Sequence, residues 1–221
     1  MSQSQTAVII PAAGSGERLG MGIPKALIEI AGETLIERAV RNLAPVAAMV
    51  IVAAPVGHEE DIRRSISEPN VHIVSGGALR SQSVANALKV IPEGIKYVLV
   101  HDAARAFAST ELAEQILEEL FAGEAAVVPA LDVVDTIKVI DDQGYVVDTP
   151  DRTKLRAIQT PQGFTRDALM RAHSYGKDAT DDAALVAALG VKVKVIRGAA
   201  LARKITTLED LTWARELVGQ L

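Results

Sequence analysis

Short apolar runs alternate with amphipathic or polar segments along the chain. The runs predicted as strands lie at 6–10, 27–30, 49–54, 71–74, 97–100, 125–128 and 191–196, and the segments predicted as helices lie at 34–43, 58–67, 83–91, 109–121, 165–174, 180–189 and 207–218. In the first helix the apolar residues are Leu35, Ile36, Ala39, Val40 and Leu43, which is the spacing of one helix face. Short apolar strands between helices are typical of a parallel sheet covered on both faces. We therefore predict an α/β fold with a Rossmann-like, mostly parallel sheet flanked by helices.

The alternation of strands and helices is interrupted between residues 131 and 152. A β-branched stretch at 133–140 is followed by the turn sequence Asp-Asp-Gln-Gly and by a second short strand at 145–147. Because no helix separates these strands, they are predicted to form a hairpin, and an isolated two-stranded hairpin is only marginally stable in water. We predict that the hairpin projects as an arm and packs on another subunit. The alternative is a surface hairpin folded back on its own domain.

Glycines and two basic residues follow the first strand. Residues 11–20 read P-A-A-G-S-G-E-R-L-G, and Lys25 follows Pro24. Glycines let backbone amides approach a polyphosphate, and successive amides form an anion-binding concavity. Arg18 and Lys25 can neutralise the charge that develops on a phosphoryl group in a transition state. The stretch predicts the nucleoside-triphosphate site of a transferase, and the alternative is a plain strand-to-helix turn with two solvated basic residues.

Two other phosphate-binding motifs do not match this loop. The glycines at 14, 16 and 20 are spaced G-x-G-x-x-x-G, whereas a dinucleotide-binding loop has G-x-G-x-x-G. That fold also needs an acidic residue near the end of the second strand, and this strand ends in Val-Ala-Ala-Pro. A P-loop needs Gly-Lys followed by Ser or Thr, which occurs nowhere in the chain. These mismatches count against a nicotinamide oxidoreductase and against a P-loop enzyme.

Polar residues also follow the later strands. Gly77 comes after the third strand, and His101 and Asp102 follow the fourth. Ligands of such sheets bind beyond the carboxyl ends of the strands, so Gly14, Gly77 and Asp102 are expected to converge at one edge. A carboxylate there is well placed to hold Mg²⁺, although an Asp that caps the next helix or turn is the alternative. Arg105 could bind a second phosphate, and His101 is expected to be structural.

Composition narrows the class of protein. The chain has 221 residues and a formal net charge of -5, which is typical of one domain and argues against a general nucleic-acid binder. It contains no cysteine, which excludes disulfides and cysteine-ligated zinc and fits a reducing compartment. The N-terminus does not read as a signal peptide, and no apolar stretch reaches the roughly 18 residues of a membrane span. We expect one cytoplasmic domain over residues 1–221, with no nucleic-acid or membrane partner.

An ordered set of motifs resembles one family over nearly the whole chain: the 2-C-methyl-D-erythritol 4-phosphate cytidylyltransferases of the non-mevalonate isoprenoid pathway. The motifs are P-A-A-G-S-G-E-R-L at 11–19, P-K at 24–25, G-G-x-x-R-x-x-S-V at 76–84, V-H-D-A-A-R at 100–105, D-T-I-K at 135–138, P-D-R at 150–152, Q-T-P-Q-G-F at 159–164, T-D-D-A at 180–183 and K-I-T-T-x-x-D-L at 204–211. The first marks the wider nucleotidyltransferase superfamily, and the ordered set is much more specific. Ala106 departs from the usual Pro, and Ala202 with Arg203 departs from the usual Asn-Ile.

The resemblance implies an enzyme of the nucleotide-diphospho-sugar transferase fold that joins CTP and 2-C-methyl-D-erythritol 4-phosphate, uses Mg²⁺ and forms a homodimer through the hairpin arm. The catalytic residues that it implies are Arg18, Lys25 and Lys204. The implied nucleotide contacts are Pro11, Ala12, Ala13, Gly14, Ser15, Gly16, Gly77, Ser83 and Asp102, with Asp102 also at the metal. The implied contacts to the acceptor phosphate are Arg105, Thr160 and Lys204 of one subunit and Thr136 and Arg152 of the other.

Two other functions stay open on the sequence. A cytidylyltransferase for another polyol phosphate, such as ribitol 5-phosphate, would use the same CTP site. The tandem Ala103 and Ala104 after Asp102 favour methylerythritol, since ribitol-type relatives tend to carry Val at the second position. A non-catalytic nucleotide sensor is the other alternative. The presence together of four residues argues against it: Arg18, Lys25, Asp102 and Lys204.

Overall fold

The computed structural model describes residues 3–14, 20, 22–176 and 178–219, so Ser15, Gly16 and Arg18 lie outside the described residues. The α-helices within these ranges are Leu35–Leu43 (α1), Glu59–Ser65 (α2), Arg80–Leu88 (α3), Thr110–Phe121 (α4), Arg166–Ser174 (α5), Asp182–Ala187 (α6) and Leu208–Gly219 (α7). The strands are Thr6–Pro11 (β1), Glu29–Ile30 (β2), Glu33–Thr34 (β3), Met49–Ala54 (β4), Val71–Ser75 (β5), Tyr97–Val100 (β6), Ala126–Asp132 (β7), Val139–Ile140 (β8), Val146–Asp148 (β9), Arg156–Ile158 (β10), Gln162–Thr165 (β11) and Lys194–Arg197 (β12).

Eight of the described strands form one mixed sheet. The strands β5, β4, β1 and β6 are parallel neighbours in that order. Next to them, β11 lies antiparallel between β6 and β7, β12 pairs in parallel with the opposite edge of β7, and β10 pairs antiparallel with the end of β7. The prediction of an α/β fold with a mostly parallel sheet flanked by helices is confirmed, and β10 and β11 are additional to the predicted strands.

The central strands are buried on both faces. In β1, Val8 and Ile10 pack in a cluster with α1, α2 and α4, whereas Ala7 and Ile9 pack in a cluster with α3, α5 and α6. Successive side chains of a strand point to opposite faces of the sheet, so both sets must be apolar. This arrangement explains the continuous apolar run of the sequence. On one face, α4 lies so close to β11 that a Cβ on Gly163 would be 2.3 Å from Ile116.

Local capping signals place two helix starts where the sequence predicts them. The Thr34 hydroxyl accepts a hydrogen bond from the Glu37 amide (3.2 Å), and the Glu37 carboxylate accepts one from the Thr34 amide (3.3 Å). This is the reciprocal capping box that the Thr34 and Glu37 spacing predicts. The Ser109 hydroxyl likewise accepts from the Leu112 amide (3.3 Å) at the start of α4.

Other boundaries differ from the predictions. Helix α3 begins at Arg80 rather than at residue 83, because the Gln82 side chain accepts the Leu79 amide (3.3 Å) and caps an earlier first turn. The strand predicted at 27–30 is limited to Glu29–Ile30, since residues 25–27 form a 3-10 turn. Of the stretch at 133–140, only Val139–Ile140 pairs as a strand, so the longer strand prediction was wrong.

The predicted hairpin is formed by β8 and β9. These strands pair antiparallel with an irregularity between Val139 and Ile140, and they form a separate sheet. The turn is the predicted one: Asp141 accepts from the Gln143 and Tyr145 amides, and Gly144 has a φ of 87°. Residues 134–149 are all exposed. Searching the described chain finds no helix long and apolar enough to cross a membrane.

Candidate active site

The carboxyl ends of β1, β4 and β5 meet where the glycine-rich loop begins. The Ala12 amide donates to the Ala53 carbonyl (2.9 Å), and the Gly76 amide donates to the Ala54 carbonyl (2.7 Å). A Cβ on Gly76 would lie 2.6 Å from the Cβ of Ala13, so only glycine permits this backbone approach. The loop after β1, from the end of the strand at Pro11 to the exposed Gly14, therefore lies beside the loop after β5.

Two of the predicted nucleotide contacts hydrogen-bond to each other. The buried Ser83 hydroxyl accepts from the Gly77 amide (3.0 Å) and donates to the Leu79 carbonyl (3.1 Å). These bonds tie the loop after β5 to the first turns of α3. The Gly77 backbone is therefore fixed relative to the sheet edge.

Asp102 lies just beyond the end of β6 and is held by two cations from distant parts of the chain. Its Oδ1 accepts from Arg80 Nε (3.0 Å), and its Oδ2 accepts from Lys204 Nζ (2.8 Å). Burial alone would raise the pKa of the Asp102 carboxyl, but the positive charges of Arg80 and Lys204 outweigh burial and hold the pKa below its usual range. Asp102 is therefore ionised at neutral pH, and the structure brings it together with Lys204 as expected.

Arg80 also reaches a second carboxylate, that of Asp182, which has no predicted role in the site. Its Nη1 donates to Asp182 Oδ2 (2.7 Å), and Asp182 Oδ1 lies 2.8 Å from His173 Nε2. Asp181 and Asp182 are adjacent in the T-D-D-A motif, but they differ: Asp181 caps α6 by accepting the Ala184 amide (2.9 Å), whereas the Asp182 side chain is 1% exposed. The motifs G-G-x-x-R and T-D-D-A contain this pair, but sequence spacing does not show that they meet.

Thr160 and His101 support the backbone at Asp102. The Thr160 hydroxyl accepts from the Asp102 amide (3.0 Å) and lies 3.1 Å from His101 Nδ1. His101 is 1% exposed, and burial lowers its pKa to about 4, so the imidazole is neutral at pH 7. The expectation that His101 is structural agrees with this position.

Arg105 connects the segment before Lys204 to the sheet. Its Nη1 donates to the Ala202 carbonyl (2.8 Å), and its Nη2 donates to the Ile158 carbonyl (3.2 Å). Burial lowers the pKa of the Arg105 guanidinium. A phosphate bound by Arg105 would have to accept from guanidinium N–H groups that do not already donate to these two carbonyls.

Ala202 and Arg203 depart from the family pattern, but the next residue, Lys204, still contacts Asp102. Ala202 is buried and serves through its carbonyl, which any residue would provide. The Arg203 side chain turns away, pairs with Asp210 and lies over the Trp213 ring (5.4 Å to the centroid).

Three further predicted contacts lie on other segments of the chain. Lys25 is half-buried at the start of the 3-10 turn Lys25–Leu27. Thr136 and Arg152 are exposed, and the Arg152 guanidinium donates to the Val134 carbonyl. Among the described residues, no hydrogen bond or ion pair joins Thr136 or Arg152 to Asp102.

The described residues contain no group of three or more His, Cys, Asp and Glu side chains arranged to hold a metal ion. The donor that fits a divalent cation is Asp102, because it is ionised and lies beside the candidate phosphate site. Mg²⁺ commonly binds through one or two carboxylates together with substrate phosphates and water.

Comparison with known proteins gives a consistent result. A model of the family described as 2-C-methyl-D-erythritol 4-phosphate cytidylyltransferase matches residues 6–220. A protein of that description from Saccharopolyspora erythraea is 45% identical over 220 residues, covering 96% of this chain and 98% of the relative. Crystal structures of 4-diphosphocytidyl-2C-methyl-D-erythritol synthase from Anaerococcus prevotii (TM-score 0.86, 30% identity, 98% of this chain and 97% of that one) and of the cytidylyltransferase from Thermus thermophilus (TM-score 0.79, 38% identity, 99% and 100%) are similar in fold.

Proposed function

Because the chain belongs to the 2-C-methyl-D-erythritol 4-phosphate cytidylyltransferase family, we propose that it transfers the cytidylyl group of CTP to the phosphate of 2-C-methyl-D-erythritol 4-phosphate. The products are 4-diphosphocytidyl-2-C-methyl-D-erythritol and pyrophosphate, in isoprenoid precursor biosynthesis. The observation that carries the proposal is the contact of Asp102 with Lys204 at the sheet edge where the glycine-rich loop begins.

The reaction is a displacement at phosphorus. An oxygen of the acceptor phosphate attacks the α-phosphorus of CTP and forms a new P–O bond, and the bond from the α-phosphorus to the pyrophosphate oxygen breaks with its electron pair. The acceptor phosphate is already an anion at neutral pH, so no general base is needed. The obstacle is the repulsion of two anions, which aligned cationic groups overcome by positioning and charge neutralisation.

The basic residues supply that neutralisation. In this proposal, Lys204 holds the acceptor phosphate, and Lys25 with Arg18 stabilises the charge at the α-phosphorus. The ion pair with Asp102 fixes the Lys204 ammonium before substrate binds. Arg105 and Thr160 contribute the remaining contacts to the acceptor phosphate from the same subunit.

Backbone groups of the loop over residues 11–16 bind the triphosphate, with Gly77 and Ser83 at the cytosine and ribose. The close approach of Gly76 to Ala13 supports this assignment, because it fixes the two loops that would flank the nucleotide. Asp102 would hold Mg²⁺ at this place. The bound ion would orient the triphosphate and neutralise part of its charge.

The hairpin arm, residues 131–152, completes the site across a homodimer in this proposal. Thr136 of the partner subunit and Arg152 of the partner subunit would reach the acceptor phosphate. The exposed apolar side chains of the arm support this role, since contiguous exposed apolar patches mark interaction surfaces. The exposed apolar side chains of the arm include Ile140, Tyr145 and Val147. Residues 1–221 form one nucleotidyltransferase domain, and the cysteine-free composition supports a cytoplasmic location.

A pyrophosphate-release assay tests the proposal. The purified chain is incubated with Mg²⁺, each of the four nucleoside triphosphates, and either 2-C-methyl-D-erythritol 4-phosphate or ribitol 5-phosphate. We expect release with CTP and the methylerythritol phosphate. Preference for ribitol 5-phosphate would assign the other cytidylyltransferase activity, and no release with any pair would contradict catalysis.

A further inference from the structure

Five side chains form a continuous polar line from the sheet edge into the protein. Lys204 and Arg80 both contact Asp102, and Arg80 continues to Asp182. His173 on α5 closes the line on the far side of Asp182 (2.8 Å). The line therefore joins the proposed metal ligand to a buried carboxylate that is assigned no substrate contact.

Asp182 is a firmly fixed anchor. A buried carboxylate is costly unless it is paired and hydrogen-bonded, and both oxygens of Asp182 have partners. Its position on α6 is set by the Asp181 cap and by Gln162, whose side chain donates to Asp181 (2.8 Å) and accepts the Ala183 amide (3.1 Å). These bonds tie the start of α6 to β11 in the sheet.

Arg80 donates hydrogen bonds to two carboxylates, and this limits how many it can give to Asp102. An arginine beside a single carboxylate favours a bidentate pair that occupies both oxygens. Here Nη1 is held by Asp182, so Arg80 reaches Asp102 through Nε and contacts Oδ1. The other oxygen, Oδ2, accepts one hydrogen bond from Lys204 (2.8 Å), so each oxygen has a single cationic partner and keeps a second lone pair.

We propose that Asp182, backed by His173, is a positioning residue that holds Arg80 in a single contact with Asp102 and so keeps the Asp102 carboxylate available to a metal-bound nucleotide. This inference rests on the proposed function, in which Asp102 holds Mg²⁺. Without Asp182, Arg80 turns its fork onto Asp102 and competes with the cation for both oxygens.

The test measures how much Mg²⁺ contributes to CTP binding. The dissociation constant of CTP is determined by isothermal titration calorimetry in saturating Mg²⁺ and again in EDTA, and the ratio of the two values is compared between variants. In Asp182→Asn we expect the ratio to fall by about tenfold, because changes to the groups that orient a metal ligand typically weaken metal affinity 10–100-fold. Affinity in EDTA should stay within about twofold on the same account, whereas a purely structural defect would weaken both values together.

The matched control is Asp181→Asn. It removes the same charge one position away, does not touch Arg80, and Asn caps helices as well as Asp does, so its ratio should equal the wild-type ratio. Arg80→Lys covers the case in which Asp182→Asn does not fold. A lysine near Asp102 keeps the charge but cannot close a fork on both oxygens of that carboxylate, so its ratio should equal the wild-type ratio.

A wild-type ratio in folded Asp182→Asn, a reduced ratio in Arg80→Lys, or equal losses in Mg²⁺ and in EDTA would overturn the inference. A wild-type chain that binds CTP equally in Mg²⁺ and EDTA would overturn it as well. Failure of the proposed function is a separate result, since it appears as a wild-type chain that binds CTP and releases no pyrophosphate with either acceptor.

Discussion

Two regions carry predicted contacts to the acceptor phosphate: the sheet-edge cluster, formed by Asp102, Thr160 and Lys204, and the hairpin arm. They differ in how much of each region is covered by the rest of the chain. Asp102 and Thr160 lie among partners from the same chain, and Lys204 is held by Asp102. The arm, by contrast, exposes 60% of Ile140, 69% of Tyr145 and 60% of Val147. Folding of one chain fixes the first region, whereas the second presents apolar surface that its own body does not cover.

A site that binds two anions needs cationic groups that are already aligned, whereas contacts on the arm are expected to be ordered later by another surface. Charged groups that must stay aligned are placed on a rigid sheet and locked by mutual ion pairs, which limits the reorganisation needed when substrates bind. A two-stranded hairpin is marginally stable alone, so residues on it gain a defined position when another surface covers the arm. We therefore expect changes in the two regions to differ in kind as well as in size.

The largest effect is expected for Lys25→Ala, a change on the body of the subunit. Loss of one cation at the transferred phosphoryl group should lower turnover by about 10²–10³-fold. The melting temperature should change little, because the half-buried side chain lies at the surface of a short turn. Steady-state pyrophosphate release and thermal denaturation measure the two quantities, and normal turnover would remove Lys25 from the mechanism.

A second expected effect concerns the stability of the fold and its dependence on pH. It arises from His101, which lies beside Asp102. His101 has a pKa of about 4 in the folded protein, below the ordinary value of about 6.5. Between these pH values the unfolded chain binds a proton that the folded chain does not, so stability is full above pH 6.5 and is lost as the pH falls toward 4. The loss from this group should be about 3 kcal/mol.

Urea denaturation of the wild type and of His101→Asn at several pH values between 4 and 7 checks this prediction. The variant should show a flatter fall of stability with decreasing pH. His72→Asn is the matched control, because His72 is exposed on β5. Parallel pH curves for the wild type and His101→Asn would show that His101 does not cause the acid sensitivity.

A smaller effect is expected on the arm. Arg152→Ala should raise the KM for the acceptor by about 10–100-fold, the value of a charge-assisted hydrogen bond. Lys154→Ala on the same turn is the control, since Lys154 is 84% exposed and is assigned no substrate contact. Kinetics at saturating CTP would detect the change.

Arg152→Ala also tests whether the arm acts across the dimer. A heterodimer of Lys25→Ala and Arg152→Ala subunits, purified through two different tags, pairs one intact body with one intact arm. At an acceptor concentration well below the raised KM, we expect about half of the wild-type activity, since one of two symmetric sites is complete. Activity at half the level of the Arg152→Ala homodimer would instead place the arm at the site of its own chain.

Local signals in the sequence were sufficient for much of the fold. The bounds of β4 and β6 and the cap at Thr34 agree with the predictions, because a run of apolar residues and a capping pair each act within a few positions. Strand β11 is short and contains Gln162 and Gly163, so its identity comes from its neighbours β6 and β7 rather than from its own pattern.

The candidate site was harder to predict from the sequence, because its contacts join residues that are far apart in the chain. The contact between Arg80 and Asp182 joins residues 102 positions apart, and nothing in the spacing of either motif indicates it. Asp181 and Asp182 look alike in sequence, yet one is a helix cap and the other is buried in an ion pair. Convergence of Gly77 and Asp102 at the carboxyl edge was predictable because strand polarity alone determines it.

A backbone hydrogen bond next to Lys204 links the last described helix, α7, to the segment that follows Asp102. The Ile205 amide donates to the Ala104 carbonyl (2.8 Å), and Ile205 is buried with Leu211 and Ala214 of α7. A shift of that helix should therefore move Lys204, which precedes Ile205 and is proposed to hold the acceptor phosphate. Tags or deletions at this end of the molecule should therefore be judged by turnover as well as by solubility.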